Sequence, residues 1–198
     1  MFSTIDSLRA NLGVAPRDTA YDEKMMHPIP DAAVVDREQF IVDTIRGKTV
    51  IEFGASGALH GKITAAASVV VGVDRDRAPG VIGFDLDAIG QDLPVLAKPN
   101  WIVCGEVIEH LSNPGYFLSR LKHQYGGVPM IITVPNAFTD VGRKTLDKGI
   151  ENVNRDHVAW YSYTTLKTLL TRAGYTIREL YWYGGKPYYA QGLVVVVD

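Results

Sequence analysis

The sequence has one cysteine, no long apolar run and almost no excess of charge of either sign. With Cys104 alone, an internal disulfide is excluded and a reducing compartment is favoured. No stretch approaches the roughly 20 apolar residues of a membrane span, and the first residues lack the basic and apolar regions of a secretion signal. A net charge of −2 supplies no basic field for nucleic acid or an acidic membrane. These absences predict a cytoplasmic protein without a membrane partner, and they disfavour nucleic acid as a partner.

The 198 residues suit a single domain, since no repeat or low-complexity tract divides them. Residues 1–35 hold several prolines and one short predicted helix over 3–13, and we expect them to form a largely irregular N-terminal cap. Asp36 is a residue type that begins helices. The main domain is therefore expected to cover residues 36–198.

Seven short apolar segments alternate with helical patterns through the main domain. Strands of this kind, separated by helices, form a parallel sheet that is covered on both faces. Gly184, Gly185 and Pro187 lie between the last two strands and predict an antiparallel hairpin. The expected fold class is α/β, with a doubly wound, mostly parallel seven-stranded sheet that ends in this hairpin. The predicted strands cover residues 49–53, 68–73, 81–84, 101–104, 128–134, 175–183 and 192–197, and the predicted helices follow Asp36 and Ser162 and cover 58–67 and 114–125.

Acidic residues and a glycine turn follow the first three strands, at the ends where such sheets bind ligands. The first strand ends with Glu52 and the turn Gly54-Ala55-Ser56-Gly57, whose glycines let the backbone approach a small molecule. Asp74 closes the second strand, where an acid accepts hydrogen bonds from ribose hydroxyls, and Asp85 follows the third. Because these acids would repel a pyrophosphate, the pattern favours a nucleoside cofactor that carries no phosphate.

Further motifs continue this series along the chain. They are Val71-Gly72-Val73-Asp74, Phe84-Asp85-Leu86-Asp87, Glu106-Val107-Ile108-Glu109-His110, Val134-Pro135-Asn136-Ala137 and Asp156-His157-Val158-Ala159-Trp160-Tyr161-Ser162. In order and spacing they resemble class I S-adenosylmethionine-dependent methyltransferases over about residues 36–183. The resemblance is greatest to the branch with a Glu-Val-Ile-Glu-His motif, which includes sugar, quinone and natural-product O-methyltransferases.

The resemblance implies a Rossmann-like fold and a set of residues that hold S-adenosylmethionine. Glu52 and the turn Gly54-Ala55-Ser56-Gly57 should face the methionine part of the cofactor. Asp74 should accept from the ribose hydroxyls. Asp85, together with the backbone at Leu86, should contact the adenine. Glu106 follows the fourth predicted strand and is therefore not part of the glycine turn. The resemblance places it beside both the cofactor and the methyl acceptor.

The glycine turn departs from the common family pattern at two positions. Ser56 and Ala58 replace the second and third glycines, with Gly57 between them. Ser56 and Leu59 also occupy positions where the dinucleotide-binding fingerprint has glycines, which argues against a nucleotide-dependent oxidoreductase. The altered turn leaves a catalytically silent cofactor-binding subunit as an alternative to an active enzyme.

The candidates for the reacting end are Glu106, Glu109, His110 and His157. The first three would share a face in a helix that begins at residue 106. One hypothesis makes His110 or His157 a general base, assisted by Glu106. A second makes all four the ligands of a divalent metal, in a pattern similar to the metal site of small-RNA terminal methyltransferases. A third gives Glu109 and His110 a purely structural role.

The acceptor is less well defined than the cofactor. A long polar loop over residues 136–158 carries both basic and acidic side chains, which either contact an acidic acceptor or form a solvated face. Aromatic residues around the terminal hairpin either stack on an acceptor or pack in the core or a homodimer interface. The preferred acceptor is a small-molecule or glycan hydroxyl, and the alternative is an RNA hydroxyl. The hairpin aromatics are Tyr181, Trp182, Tyr183, Tyr188 and Tyr189.

Overall fold

The computed structural model describes residues 26–88, 93 and 99–198, and the helix predicted over 3–13 lies outside these ranges. Residues 31–198 form one compact unit. Within the described ranges, no helix is both long and apolar enough to cross a lipid bilayer. The following paragraphs concern the unit that begins at Asp31.

Eight strands form one sheet in the order β1-β7-β8-β6-β5-β2-β3-β4. All neighbouring pairs are parallel except those that involve β8, which runs antiparallel to both β6 and β7. This confirms the doubly wound α/β fold and the antiparallel terminal hairpin. The eighth strand, β1, adds two residues beside β7 and was too short to be visible as a pattern in the sequence. The strands are β1 (Val34–Val35), β2 (Thr49–Phe53), β3 (Val69–Asp74), β4 (Val81–Gly83), β5 (Trp101–Gly105), β6 (Met130–Pro135), β7 (Ile177–Tyr183) and β8 (Gly192–Val197).

Local side-chain caps set the beginnings of the helices. The carboxylate of Asp36 accepts a hydrogen bond from the Gln39 amide at 2.9 Å, and Ser162 forms a reciprocal capping box with Thr165. Both caps were predicted. The fourth helix was not predicted, because its seven residues lie within the polar loop over 136–158. The helices are α1 (Arg37–Ile45), α2 (Gly57–Ala66), α3 (Pro114–Tyr125), α4 (Asp140–Leu146) and α5 (Tyr163–Arg172).

The core lies on both faces of the central strands. Every residue of β8 is buried, as expected for a strand that helices cover on both sides. One core cluster joins Val50, Val103, Ile131 and Val194 of the sheet to buried side chains of α1 and α2. Cys104 is fully buried in β5, where it packs as a small apolar side chain.

The parallel register brings the ends of several strands to one edge of the sheet. Strand β2 pairs in parallel with β3 on one side and with β5 on the other. The order in which successive strands are added to the sheet therefore reverses at β2. Ligands of open α/β sheets bind at the carboxyl ends of the strands near such a reversal. The segments that follow β2, β3, β5 and β6 therefore meet at one edge.

Gly72 of β3 gives the glycine turn room to lie against the sheet. A Cβ atom at Gly72 would lie 2.8 Å from Cβ of Ala55 and 3.2 Å from Cε1 of His60. We expect Gly72→Ala to lower the free energy of unfolding by about 1–3 kcal/mol, the usual cost of overpacking. Gly61→Ala in α2 is the control, because a Cβ there meets nothing within 4 Å and should stabilise the helix by about 0.5–1 kcal/mol.

Urea denaturation of both variants and the original chain measures these changes. An unchanged free energy of unfolding for Gly72→Ala would contradict the close approach of the turn to β3.

Candidate functional site

The glycine turn after β2 is fixed by two left-handed residues and by bonds to β3. Gly54 and Gly57 have φ values of 79° and 65°, a region that L side chains rarely adopt. The Gly54 amide donates to the carbonyl of Val73 at 2.9 Å. A side chain at Gly54 would also collide with Cγ2 of Val107. Ser56, where the common pattern has glycine, has an extended φ of −142° and stands at the N-cap position of α2, where its side chain makes no capping hydrogen bond.

Glu52 is buried beneath this turn and paired with a histidine. Its carboxylate is 2% exposed and lies 2.7 Å from Nδ1 of His60. Burial raises the pKa of Glu52, and the hydrogen bond to His60 opposes that rise. The sequence analysis missed His60, whose only signal was its position on the first turns of α2, eight residues after Glu52.

Asp74 and Asp85 each follow a strand and shape the loop that comes next. Oδ1 of Asp74 accepts from the Asp76 amide at 2.9 Å, and Oδ1 of Asp85 accepts from the Asp87 amide at 3.0 Å. These local bonds fix the direction of each carboxylate. Leu86, next to Asp85, is buried. The side chain of Asp87 in turn accepts from two amides at the start of α3, which holds the loop after β4 against that helix.

Glu106 follows β5 in a strained backbone conformation. Its φ of 55° is unusual for a residue with a side chain. Oε1 accepts hydrogen bonds from the hydroxyls of Thr133 at 2.8 Å and Tyr183 at 2.9 Å, and Arg37 lies 3.4 Å away. The guanidinium of Arg37 also lies over the Tyr183 ring, 5.3 Å from its centroid. These long-range partners, which the sequence did not reveal, hold Glu106 in place.

Residues 106–110 form a turn, so the helix considered for them is absent. The amide of His110 donates to the carbonyl of Val107 at 3.0 Å, which is a turn rather than a helical bond. The carbonyl of Glu109 accepts from the amides of Val158 and the following residue, at 2.7 and 3.1 Å. The turn after β5 is therefore tied to the segment that contains the second predicted histidine.

Glu109, His110 and His157 form a compact cluster at this junction. One potential ligand atom from each residue lies within 4.8 Å of those of the other two. The two imidazole rings meet edge to face, with their centroids 4.7 Å apart. The structure thus brings together three of the four predicted metal ligands. The fourth, Glu106, directs Oε1 to Thr133 and Tyr183 instead.

The electrostatics of this cluster are set by burial. Glu109 is 1% exposed, and within the described residues neither of its carboxylate oxygens has a hydrogen-bond partner. Burial, with the nearby charge of Glu106, raises the pKa of Glu109 to about 8. Burial and the neighbouring His110 lower the pKa of His157. A buried carboxylate without partners is costly, so the cluster is suited to receive a proton or a cation.

Several solved structures that superpose on this chain are methyltransferases of varied kinds. The small RNA methyltransferase HEN1 superposes with a TM-score of 0.65 at 15% identity, covering 87% of this chain, and the chain spans only 27% of that protein's length. An S-adenosylmethionine-dependent methyltransferase from Clostridium acetobutylicum gives a TM-score of 0.59 at 8% identity, covering 81% and 89% of the two chains. Magnesium protoporphyrin IX methyltransferase from Synechocystis, with bound S-adenosylhomocysteine, gives 0.54 at 14% identity, covering 90% and 94%.

At this level of identity the superpositions establish the fold alone. No curated protein matches the sequence. The sequence does match a family described as a methyltransferase domain, over residues 25–180. That match covers most of the chain and includes the glycine turn, the acids and the histidine cluster. The chain therefore belongs to this methyltransferase family and is a class I S-adenosylmethionine-dependent methyltransferase with a Rossmann-like fold.

Proposed function

We propose that S-adenosylmethionine binds across the carboxyl ends of β2, β3 and β4. Glu52 and the turn Gly54-Ala55-Ser56-Gly57 hold the methionine part, and Asp74 accepts from the ribose hydroxyls. Asp85 and the backbone of Leu86 contact the adenine. The turn fits this role, because a Cβ at Gly57 would meet no atom within 4 Å and the backbone there is open to a ligand.

The ribose assignment predicts a specific loss of affinity. Asp74→Ala should weaken S-adenosylhomocysteine binding by about 10–100-fold, since hydrogen bonds to a charged group contribute about 1.5–3 kcal/mol. Asp76→Ala is the matched control, because that side chain is exposed two residues later. Asp74→Asn keeps an oxygen for the Asp76 amide and separates loss of the carboxylate from loss of the turn. Isothermal titration calorimetry measures all three affinities, and equal affinity in Asp74→Ala would remove the assignment.

We propose that the acceptor atom is the hydroxyl oxygen of a small molecule or sugar. S-adenosylmethionine supplies an electrophilic methyl group, and the acceptor oxygen must lose its proton as it attacks. His157 takes that proton in this proposal. His110 positions the His157 ring, and the negative charge of Glu106 stabilises the protonated imidazole. The observation that carries the proposal is the edge-to-face pair of His110 and His157 at the carboxyl end of β5. Histidine suits such a proton transfer near neutral pH.

The base assignment separates turnover from cofactor binding. His157→Ala should lower methyl transfer by about 100-fold or more while S-adenosylhomocysteine affinity is kept, because a general base contributes about 10²–10⁴ in rate. His123→Ala, an exposed histidine on α3, is the control and should change neither. Transfer of labelled methyl to a panel of phenols, sugars and RNA oligonucleotides measures the rate and identifies the acceptor class. Equal loss of turnover and cofactor affinity in His157→Ala would make the residue structural.

The second candidate function is metal-assisted methylation of a hydroxyl, as on the ribose of an RNA end. Its support is the buried carboxylate of Glu109, which has no hydrogen-bond partner among the described residues and faces two imidazoles. Carboxylate and imidazole donors suit Mn²⁺ or Mg²⁺ with water completing the shell. In this candidate Glu109, His110 and His157 hold the ion, with Glu106 as the fourth ligand first predicted from the sequence. The ion would orient and acidify the hydroxyl.

Manganese binding distinguishes the two candidates without an acceptor. If the metal candidate is correct, Mn²⁺ should bind the chain with one site, measured by electron paramagnetic resonance, and Glu109→Gln and His157→Ala should each abolish it. His123→Ala should bind Mn²⁺ as the original chain does. No binding of Mn²⁺ by a folded chain loaded with S-adenosylhomocysteine would remove the metal candidate and leave His157 as a direct base.

A further inference from the structure

A pocket opens beside the cluster of Glu109, His110 and His157. It lies between the end of β6 and the segment that contains α4. Its volume is about 310 Å³, near the lower end of the range of about 300–1,000 Å³ that small-molecule sites occupy. His157 forms part of its wall and also contacts His110. The pocket and the reacting end therefore share one side chain, so a molecule in the pocket would lie against the proposed base.

The lining of this pocket is uncharged apart from the imidazole. Among the described residues that line it, none is Asp, Glu, Lys or Arg. Val141, Val153 and Trp160 supply apolar surface. Their neighbours are amides and a hydroxyl, and the amide of Asn136 is already engaged, since its Nδ2 donates to two backbone carbonyls. Apart from His157, the wall therefore offers an anion only neutral hydrogen-bonding groups and no fixed positive charge.

Two basic residues of the same segment contact groups that do not line the pocket. Lys144 and Arg143 both contact the carboxylate of Asp140, at 2.5 and 3.4 Å. Arg143 also lies over the ring of Tyr189, 5.5 Å from its centroid. Asp140 and Tyr189 thus engage these two basic groups, and neither residue lines the pocket. For Arg143 and Lys144, a solvated charged face agrees with this geometry better than a cradle for an acidic acceptor.

We propose that this pocket binds the acceptor, and that the acceptor is an uncharged aromatic ring that carries a hydroxyl. The inference rests on the proposed methylation of a hydroxyl and names its substrate class. Trp160 and Val153 contact the ring, and the hydroxyl reaches His157. A phosphorylated sugar or an RNA end binds less well, because its charge would lose water without gaining a fixed countercharge in the wall.

Two probes of equal size and different charge test this proposal. Vanillyl alcohol is a neutral hydroxylated ring, and vanillate is the same ring with a carboxylate. The chain is first saturated with S-adenosylhomocysteine. Calorimetry should then show that vanillyl alcohol binds about tenfold or more tightly than vanillate, because no fixed positive charge in the wall offsets the free energy of removing water from the carboxylate. Trp160→Ala should weaken vanillyl alcohol by about tenfold, as for removal of an aromatic anchor.

Matched variants keep the test specific to the pocket. Val158→Ala changes an exposed side chain that does not line the pocket and should leave both affinities unchanged. Val153→Lys adds a cation to the wall and should reverse the preference in favour of vanillate. Equal affinity for the two probes, no binding of vanillyl alcohol, or an unchanged affinity in Trp160→Ala would each overturn the proposal.

Methyl transfer is measured separately, so that failure of the proposed function is recognised on its own. Selective binding of vanillyl alcohol without its methylation would support the pocket and count against hydroxyl methylation. The pocket proposal would also be overturned if the original chain bound neither probe and formed a dimer that Trp160→Ala converted to a monomer. That result would show that this face contacts a second copy of the chain.

Discussion

The carbonyl oxygen of Glu109 holds the reacting end of the molecule together. It accepts hydrogen bonds from the amides of residues 158 and 159. These bonds join the turn after β5 to a segment that lies almost 50 residues further along the chain. The bonds place His157 beside His110, and the buried carboxylate of Glu109 lies within reach of both imidazoles. Because these are backbone bonds, they depend on the conformation of the two segments rather than on the identity of the side chains.

The sheet makes this junction possible. Parallel pairing of β2, β3, β5 and β6 brings the segments after all four strands to one edge, where α/β folds bind their ligands. The glycine turn and the acids then occupy one side of β2, and the histidine cluster occupies the other. In the proposed assignment, cofactor binding and acceptor binding are therefore divided between the two sides of β2, where the strand order reverses. Glu106 lies between them and is held by Thr133, Tyr183 and Arg37.

Local sequence was sufficient to predict most elements of the fold. Apolar strand segments and the capping side chains of Asp36 and Ser162 act within a few residues, so their outcome is visible in the sequence itself. Strand β1 was not predicted, because two residues are too few to show an alternating pattern. Helix α4 was not predicted, because a short helix in a polar loop has no apolar face that the sequence would reveal. The turn over residues 106–110 also escaped, since its origin is the left-handed backbone of Glu106, which residue type does not predict.

The sequence predicted candidate residues for the site but not the contacts that those residues make. Spacing after each strand indicated Glu52, Asp74, Asp85 and the histidines as candidates, because the carboxyl ends of parallel strands meet in space. The pairing of Glu52 with His60 and of Glu106 with Tyr183 depends on how α2 and β7 pack against the sheet. Such contacts join residues far apart in sequence, and no local pattern records them. The pocket beside His157 is hidden for the same reason, since its wall joins residues of β6, α4 and the segment over 152–160.

A crystal structure of the chain with S-adenosylhomocysteine would show whether the cofactor lies across the carboxyl ends of β2, β3 and β4. We expect the ribose within hydrogen-bond distance of the Asp74 carboxylate, the methionine part against the turn Gly54-Ala55-Ser56-Gly57, and the sulfur on the side of the sheet edge that faces His157. A ligand bound elsewhere on the chain, or one whose sulfur points away from the histidine cluster, would contradict this expectation.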